Sequence, residues 1–342
     1  MAGRYDRGSR RRSLPPHILV ALVTLVLVAA VAMVLLNQAD NSTVQYSTEE
    51  REREAQALDE TVDVGGVRCV PKKNLKTYLF MGIDDTAEQG ENYVMGGQCD
   101  TLILLVVDQT SKTYKQLSIN RNTMCDVHSY DPDDWEDLGT TYVQIALAHS
   151  SGDGGPRSCE NVVDAVSTYL YGIHIDNYIA LNVEGIPTVN QLAGGVTVTI
   201  EDDFSAEDPS LVMGETIKLT DEQAYHYLRG RMSVGDGSNE SRMRRQQTYL
   251  TAMREQVVDK AKADNSFASD AFDALSPYMV TDMNGKAFSR LVNALTDCES
   301  EGWVTITGTV GEDEFEFATF ESDPESVRDA VIELFYRRED DE

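Results

Sequence analysis

Positive charge is scarce in this chain. Its 342 residues carry 58 Asp and Glu against 29 Lys and Arg, a net charge of −29. A surface that acidic repels phosphate polymers, which excludes broad electrostatic binding of nucleic acid. Any site for an anion must then be a local cluster of arginines. Cysteine and histidine are also sparse. The five cysteines contain no Cys-x-x-Cys and the five histidines are scattered, so nothing spells out a zinc site. An odd number of cysteines leaves at least one without a partner in its own chain. No Ser/His/Asp or Cys/His set suits a covalent nucleophile. With no repeat and no internal Pro- or Gly-rich linker, the chain beyond its N-terminal region reads as one α/β domain.

Long apolar runs are lacking too, except for one. Ile18 to Leu36 is uncharged and apolar, enough to cross a bilayer core as a helix. Arg4, Arg7, Arg10, Arg11 and Arg12 precede it against a single Asp6. By the positive-inside rule, residues 1–17 are then a cytoplasmic basic tail and everything after the 18–36 span lies outside the membrane. A cleaved signal peptide is the alternative, because Ala30-Val31-Ala32 has the small-x-small form. Either way the five cysteines fall on the external side, where disulfides are permitted. Residues 37–74 read as an acidic external stalk, dense in charge around Glu49-Glu50-Arg51-Glu52-Arg53-Glu54. The folded domain is expected over 75–337, with an acidic tail at 338–342.

Periodicity predicts buried strands at Thr77–Ile83 and Leu102–Val107, and a third at Lys115–Asn120 paired with the second across a tight turn. Helices are expected over 158–170, 184–192, 239–263, 268–278 and 285–296. A strand is expected near His174–Leu181, with others at Val196–Ile200, Trp303–Thr309 and Glu314–Ala318. Thr220 with Gln223 forms a capping box that opens a helix ending at Gly230. Asp323-Pro324 opens a last helix through Phe335.

Chemistry concentrates in three places. Arg229, Arg231, Arg242, Arg244 and Arg245 crowd into a short stretch of a chain otherwise poor in cations. Arg229 and Arg231 flank Gly230 and, on extended backbone, point to the same side. Arg242, Arg245 and Gln246 follow at i, i+3, i+4 on a helical face. Forks so arranged suit a pyrophosphate better than a lone carboxylate; Arg244 reads as a surface partner. Secondly, Asp84 ends one strand and Asp100 begins another. If the two strands are antiparallel neighbours, the carboxylates converge where a phosphate-bound Mg²⁺ could be held. Thirdly, Arg121 stands at a strand end within Ser118-Ile119-Asn120-Arg121-Asn122-Thr123.

In combination these segments resemble the LytR-CpsA-Psr family of cell-envelope phosphotransferases. The resemblance rests on Leu79-Phe80-Met81-Gly82-Ile83-Asp84, Gly97-Gln98-Cys99-Asp100-Thr101, Leu117 to Thr123, Gln144 to His149, Ile175-Asp176-Asn177-Tyr178, Leu192 to Val196, Arg229-Gly230-Arg231 and Arg242 to Gln246. It implies a single three-layer α-β-α domain with a central mixed or antiparallel sheet, preceded by one transmembrane helix, and an apolar slot for a polyprenyl chain. It implies transfer of a glycopolymer, teichoic acid or capsular-type, from polyprenyl pyrophosphate to a peptidoglycan hydroxyl with Mg²⁺ present. By position, Asp84 and Asp100 would hold the metal and Arg121 would act on the phosphoryl group. Arg229, Arg231, Arg242, Arg245 and Gln246 would hold the pyrophosphate. The alternatives are a catalytically weak binder of such lipids and a polyprenyl-pyrophosphate hydrolase. The family fold also suggests a Cys125–Cys159 pair. Gln98-Cys99, Asn122 and Asn239 depart from the usual Arg-Ser, Asp and acidic residue, which takes charge out of the site.

Overall fold

The computed structural model describes residues 61–84, 96–131, 134–264 and 266–339. The expected basic tail, transmembrane span, most of the stalk and residues 340–342 lie outside the described residues. Among those described, no helix is long and apolar enough to cross a membrane.

Strands β1 (Val62–Val64) and β2 (Val67–Pro71) precede the long β3 (Leu75–Asp84) and β4 (Gln98–Asp108). Next come β5 (Thr113–Ile119) and a ribbon of β6 (Met124–Tyr130) and β7 (Asp137–Gln144). Helix α1 (Pro156–Tyr169), β8 (Asn177–Asn182) and α2 (Ile186–Ala193) follow, then the small pair β9 (Thr197–Thr199) and β10 (Thr216–Lys218). Helices α3 (Asp221–Arg229), α4 (Asn239–Ala263) and α5 (Phe267–Leu275) lead to β11 (Met279–Thr281), α6 (Gly285–Asp297) and β12 (Glu299–Val304). The hairpin β13 (Gly308–Glu312) and β14 (Ala318–Ser322), α7 (Pro324–Phe335) and β15 (Tyr336–Arg338) complete the order.

Six strands form a mixed central sheet in the order β11-β8-β3-β4-β5-β12. β3 and β4 pair antiparallel, as do β4 and β5, whereas β8 joins β3 parallel. Side chains alternate across a strand, so the central strands feed two cores. Leu79, Met81, Leu102, Leu104 and Val106 point to one, where they meet α1 and α7. Tyr78, Leu105 and Val107 point to the other, where they meet helices α2 to α6. Near-continuous apolar runs in β3 and β4 follow from burial on both faces.

Two expectations need correction. The stalk does not extend to residue 74: β1 and β2 form a hairpin about Gly65 and Gly66, both at positive φ, and β15 pairs with β2. Val64 and Cys69 are buried with Val327 and Val331 of α7. The second partner of β2 comes from the far end of the chain, but the β1–β2 pairing is local, and Gly65-Gly66 between short apolar-containing runs was its sequence signal. Near the C-terminus, Glu314–Phe317 is the tip of the β13–β14 hairpin, and the strand itself is Ala318–Ser322. Asp313 Oδ1 accepts the N–H groups of Phe315 and Phe317, both at 2.9 Å, and Glu316 takes φ 64°. That side-chain anchor turns the backbone where apolar alternation alone reads as a strand.

The α3 capping box is present, with Thr220 accepting Gln223 N–H at 3.2 Å and Gln223 accepting Thr220 N–H at 3.0 Å. Gly230 ends α3 without adopting a left-handed conformation. It is glycine for space: a Cβ there would come within 2.8 Å of both His226 O and Val234 Cγ2.

Candidate active site

The antiparallel register Ile83↔Cys99 and Asp84↔Gln98 brings the end of β3 beside the start of β4. Asp84 and Asp100 thus reach the rim of one cavity of about 600 Å³. The cavity lies between the α2–α6 face of the sheet and helices α2 and α4. Phe80, Ile103, Leu105, Leu181, Val189 and Leu250 make its interior apolar. Arg229, Arg242 and Gln246 share the rim with the two aspartates, and Arg254, Glu255 and Glu299 stand at another part of its lining.

Each aspartate is bound by arginine. Asp84 accepts from Arg229 Nη2 at 2.8 Å and from its Nε at 3.2 Å. Asp100 accepts from Arg242 Nη1 at 2.8 Å and, on its other oxygen, from Arg121. Gln246 donates to Thr101 Oγ1 at 2.8 Å, which fixes it one turn beyond Arg242 on α4. Burial opposes the charge on Arg229, but the hydrogen bonds and charge of Asp84 with Tyr225 outweigh it and hold that guanidinium above its ordinary range. Arg231 and Arg242 go the other way. Burial is the largest cause and lowers both. Arg121 also repels Arg231, and at Arg242 the attraction and hydrogen bond of Asp100 offset the burial only in part, with Arg121 and Arg231 repelling as well. Arginine stays charged regardless, so the direction records buried positive charge that the nearby carboxylates offset only in part. The Nε atoms of Arg121, Arg231 and Arg242 are buried with no hydrogen-bond partner. Buried donors are normally satisfied, and three together point to an anionic ligand.

The structure therefore gathers Asp84, Asp100, Arg121, Arg229, Arg231, Arg242 and Gln246. It does not bring Arg245 with them. Arg245 is 2% exposed and faces the end of α3. It donates to Tyr227 O at 3.0 Å and to Gly230 O, pairs with Asp202 at 2.5 Å and lies 5.3 Å from the centre of the Phe204 ring. The i, i+3, i+4 spacing placed it with Arg242 and Gln246, but the end of α3 packs on its side of α4 and captures it. Its effect on the site is indirect: it fixes the Gly230 turn that aims Arg229 and Arg231. Nor are Cys125 and Cys159 paired; both are free, buried thiols.

The neutral residues in the motifs form a network. Gln98 accepts from Arg121, Asn239 accepts from Arg242 Nη2 at 2.8 Å, and Asn239 Nδ2 donates to Asn120 Oδ1 at 2.8 Å. Asn120 Oδ1 also receives the Asn122 N–H at 3.0 Å. Sequence reading did not single out Glu240, whose Oε1 accepts from Asn120 Nδ2 at 2.8 Å. The only signal for it was an acidic residue in the first turn of α4.

Two carboxylates offering hard oxygen donors beside an arginine-lined anion site fit Mg²⁺, which takes few protein ligands when phosphate supplies others. No cluster of three or more His, Cys, Asp or Glu that could hold a metal exists among the described residues.

Comparison with known proteins is consistent with this geometry. TagV of Bacillus subtilis (strain 168), a polyisoprenyl-teichoic acid–peptidoglycan teichoic acid transferase, is 29% identical over 187 residues, covering 55% of this chain and 42% of that protein. A TagU of the same description from Enterococcus faecalis is 28% identical over 208 residues, 60% of this chain and 61% of the relative. The chain thus spans about half the length of these curated relatives. The crystal structure of B. subtilis TagV superposes with a TM-score of 0.56 at 25% identity, covering 77% of this chain and 98% of that one. A structure described as TagT bound to LIIa-WTA gives 0.57 at 21% identity over 77% and 90%, and shows the same fold. The LytR_cpsA_psr family model matches residues 32–327, a span that contains both arginine segments, both aspartates and Arg121. With most of its length under that match and the motifs meeting at one cavity, the chain belongs to the LytR-CpsA-Psr family.

Proposed function

We propose that this protein is a membrane-anchored phosphotransferase. It moves a glycopolymer from a polyprenyl-pyrophosphate carrier to a hydroxyl of peptidoglycan. The observation that carries the reading is the join of an apolar cavity of about 600 Å³ to a rim of arginines, with unpartnered buried donors beside it. A prenyl chain needs the first and a pyrophosphate the second. The printed names of TagV and TagU, as teichoic acid transferases, support the same chemistry. The apolar run Ile18–Leu36 supports an N-terminal anchor with the domain outside the membrane, which would keep the cavity beside its lipid.

Phosphoryl transfer depends on positioning and neutralising charge more than on covalent chemistry. Arg229, Arg242 and Gln246 grip the pyrophosphate where it leaves the cavity. Arg231 adds to that grip from outside the cavity, and Arg121, on the far side of the Asp100 carboxylate, stabilises charge on the phosphoryl group in flight. Asp84 and Asp100 would hold a Mg²⁺, which would supply further neutralisation of the phosphate charge. Arg245 locks the turn from which Arg229 and Arg231 project.

A transfer assay tests the reading. Full-length chain, labelled polyprenyl-pyrophosphate saccharide, peptidoglycan fragments and Mg²⁺ are mixed, with Arg121→Ala as control. Label on peptidoglycan only with the intact chain supports it. Release of label to water indicates a hydrolase instead, and tight binding without turnover indicates a binder.

A further inference from the structure

Asp84 and Asp100 are engaged by arginines, and amides stand at Asn122 and Asn239. Glu240, a carboxylate that interacts with Arg231, is hydrogen-bonded by no guanidinium among the described residues. Its Oε1 is fixed by Asn120 Nδ2 at 2.8 Å, and Asn120 immediately precedes Arg121. Glu240 is half-buried in the first turn of α4. The charge of Glu240 acts on Arg231, which also faces Arg121.

Glu240, Arg121 and Arg231 do not line the apolar cavity, whereas Arg229, Arg242 and Gln246 do. The cavity side is where a lipid phosphate would leave. Displacement at phosphorus runs roughly in line, so the incoming hydroxyl approaches from the side away from the cavity, where Glu240 stands. We propose that Glu240 is the general base of the transfer. It accepts the proton of the acceptor hydroxyl while that oxygen forms its bond to phosphorus. The bond from phosphorus to the bridging pyrophosphate oxygen breaks, and its electron pair leaves with the lipid monophosphate. This assignment rests on the phosphotransferase reading. It also explains how a chain with amides at positions 122 and 239 keeps a proton acceptor.

Arg231, from the loop after α3, interacts electrostatically with Glu240; Arg121 follows the Asn120 that holds its Oε1, and Arg244 is four residues further along α4. The test compares full-length wild type, Glu240→Gln, Glu240→Asp and Arg121→Ala in the transfer assay, alongside binding of the polyprenyl-pyrophosphate saccharide. Gln keeps an acceptor for Asn120 but removes the basic oxygen. We expect Glu240→Gln to transfer about 10²-fold more slowly with lipid affinity unchanged, and Glu240→Asp to recover part of the rate. The acidic limb of the wild-type pH–rate profile should disappear in Glu240→Gln. Undiminished transfer with an unchanged profile overturns the assignment. So does a Glu240→Gln variant that loses lipid affinity instead, which would make Glu240 a partner of Arg231. No transfer by the unaltered chain removes the phosphotransferase reading itself, a result distinct from either.

Discussion

Replacing Arg245 by Ala separates a ligand of pyrophosphate from a structural arginine. The side chain is 2% exposed and Asp202, its ion-pair partner, has a side chain 16% exposed. Truncation leaves that carboxylate without its cation and strips hydrogen bonds from Tyr227 O and Gly230 O. Removing one member of a buried pair costs about 3–5 kcal/mol. For a chain of this size that corresponds to a fall in Tm on the order of 10 °C. The expected result is therefore a large loss in thermal or urea stability of Arg245→Ala. Asp202→Ala with Arg245→Ala should recover on the order of 1–3 kcal/mol, because no buried charge is then left unpaired. Calorimetry or urea titration measures both, and lipid-pyrophosphate binding is measured at a temperature where the variant is folded. Wild-type stability combined with abolished binding would refute the reasoning and return Arg245 to the anion site.

Other outcomes follow from the same geometry. Arg121→Ala should reduce transfer by about 10²-fold or more and leave lipid binding largely intact, whereas Arg229→Ala with Arg231→Ala should lose the lipid; equal effects on binding would sink the division of roles. Leu250 lines the cavity from α4 and is only half-buried, so Leu250→Trp should fill it with little damage to the core. Fluorescence titration should then show weaker binding of long-chain prenyl pyrophosphate and unchanged binding of inorganic pyrophosphate. Burial pushes the thiols of Cys125 and Cys159 up to about 12. At pH 8 both are then protonated as well as enclosed, so alkylation should be slow in the folded protein and fast in urea. A mapped disulfide between them would contradict this.

Much of the site was legible because its parts are local. Asp84 and Asp100 sit at the ends of strands whose apolar runs declare themselves, and two such strands joined in a sheet bring those ends together. Arg229 and Arg231 flank a glycine that ends a capped helix, and Arg242 and Gln246 share one turn. Local periodicity sets which residues share a face of a strand or helix, and that was enough to place these side chains near one another. It could not say which neighbour claims each face of α4. Arg242 and Gln246 meet β4 and the cavity, while Arg245, on the next face, meets the end of α3, and only the packing of α3 against α4 decides this. The strands at 62–71 carry a local signal, the Gly65-Gly66 turn of their hairpin, but the sheet that holds them is completed by Tyr336–Arg338, and pairing across the whole chain leaves no local trace. Glu240 gained its place from Asn120, more than a hundred residues earlier. What the sequence determined by itself was composition, period and motif, since these depend on residues close in the chain. The tertiary structure decided which arginines are buried as structure and which face the cavity, because burial and partner choice depend on contacts between distant segments.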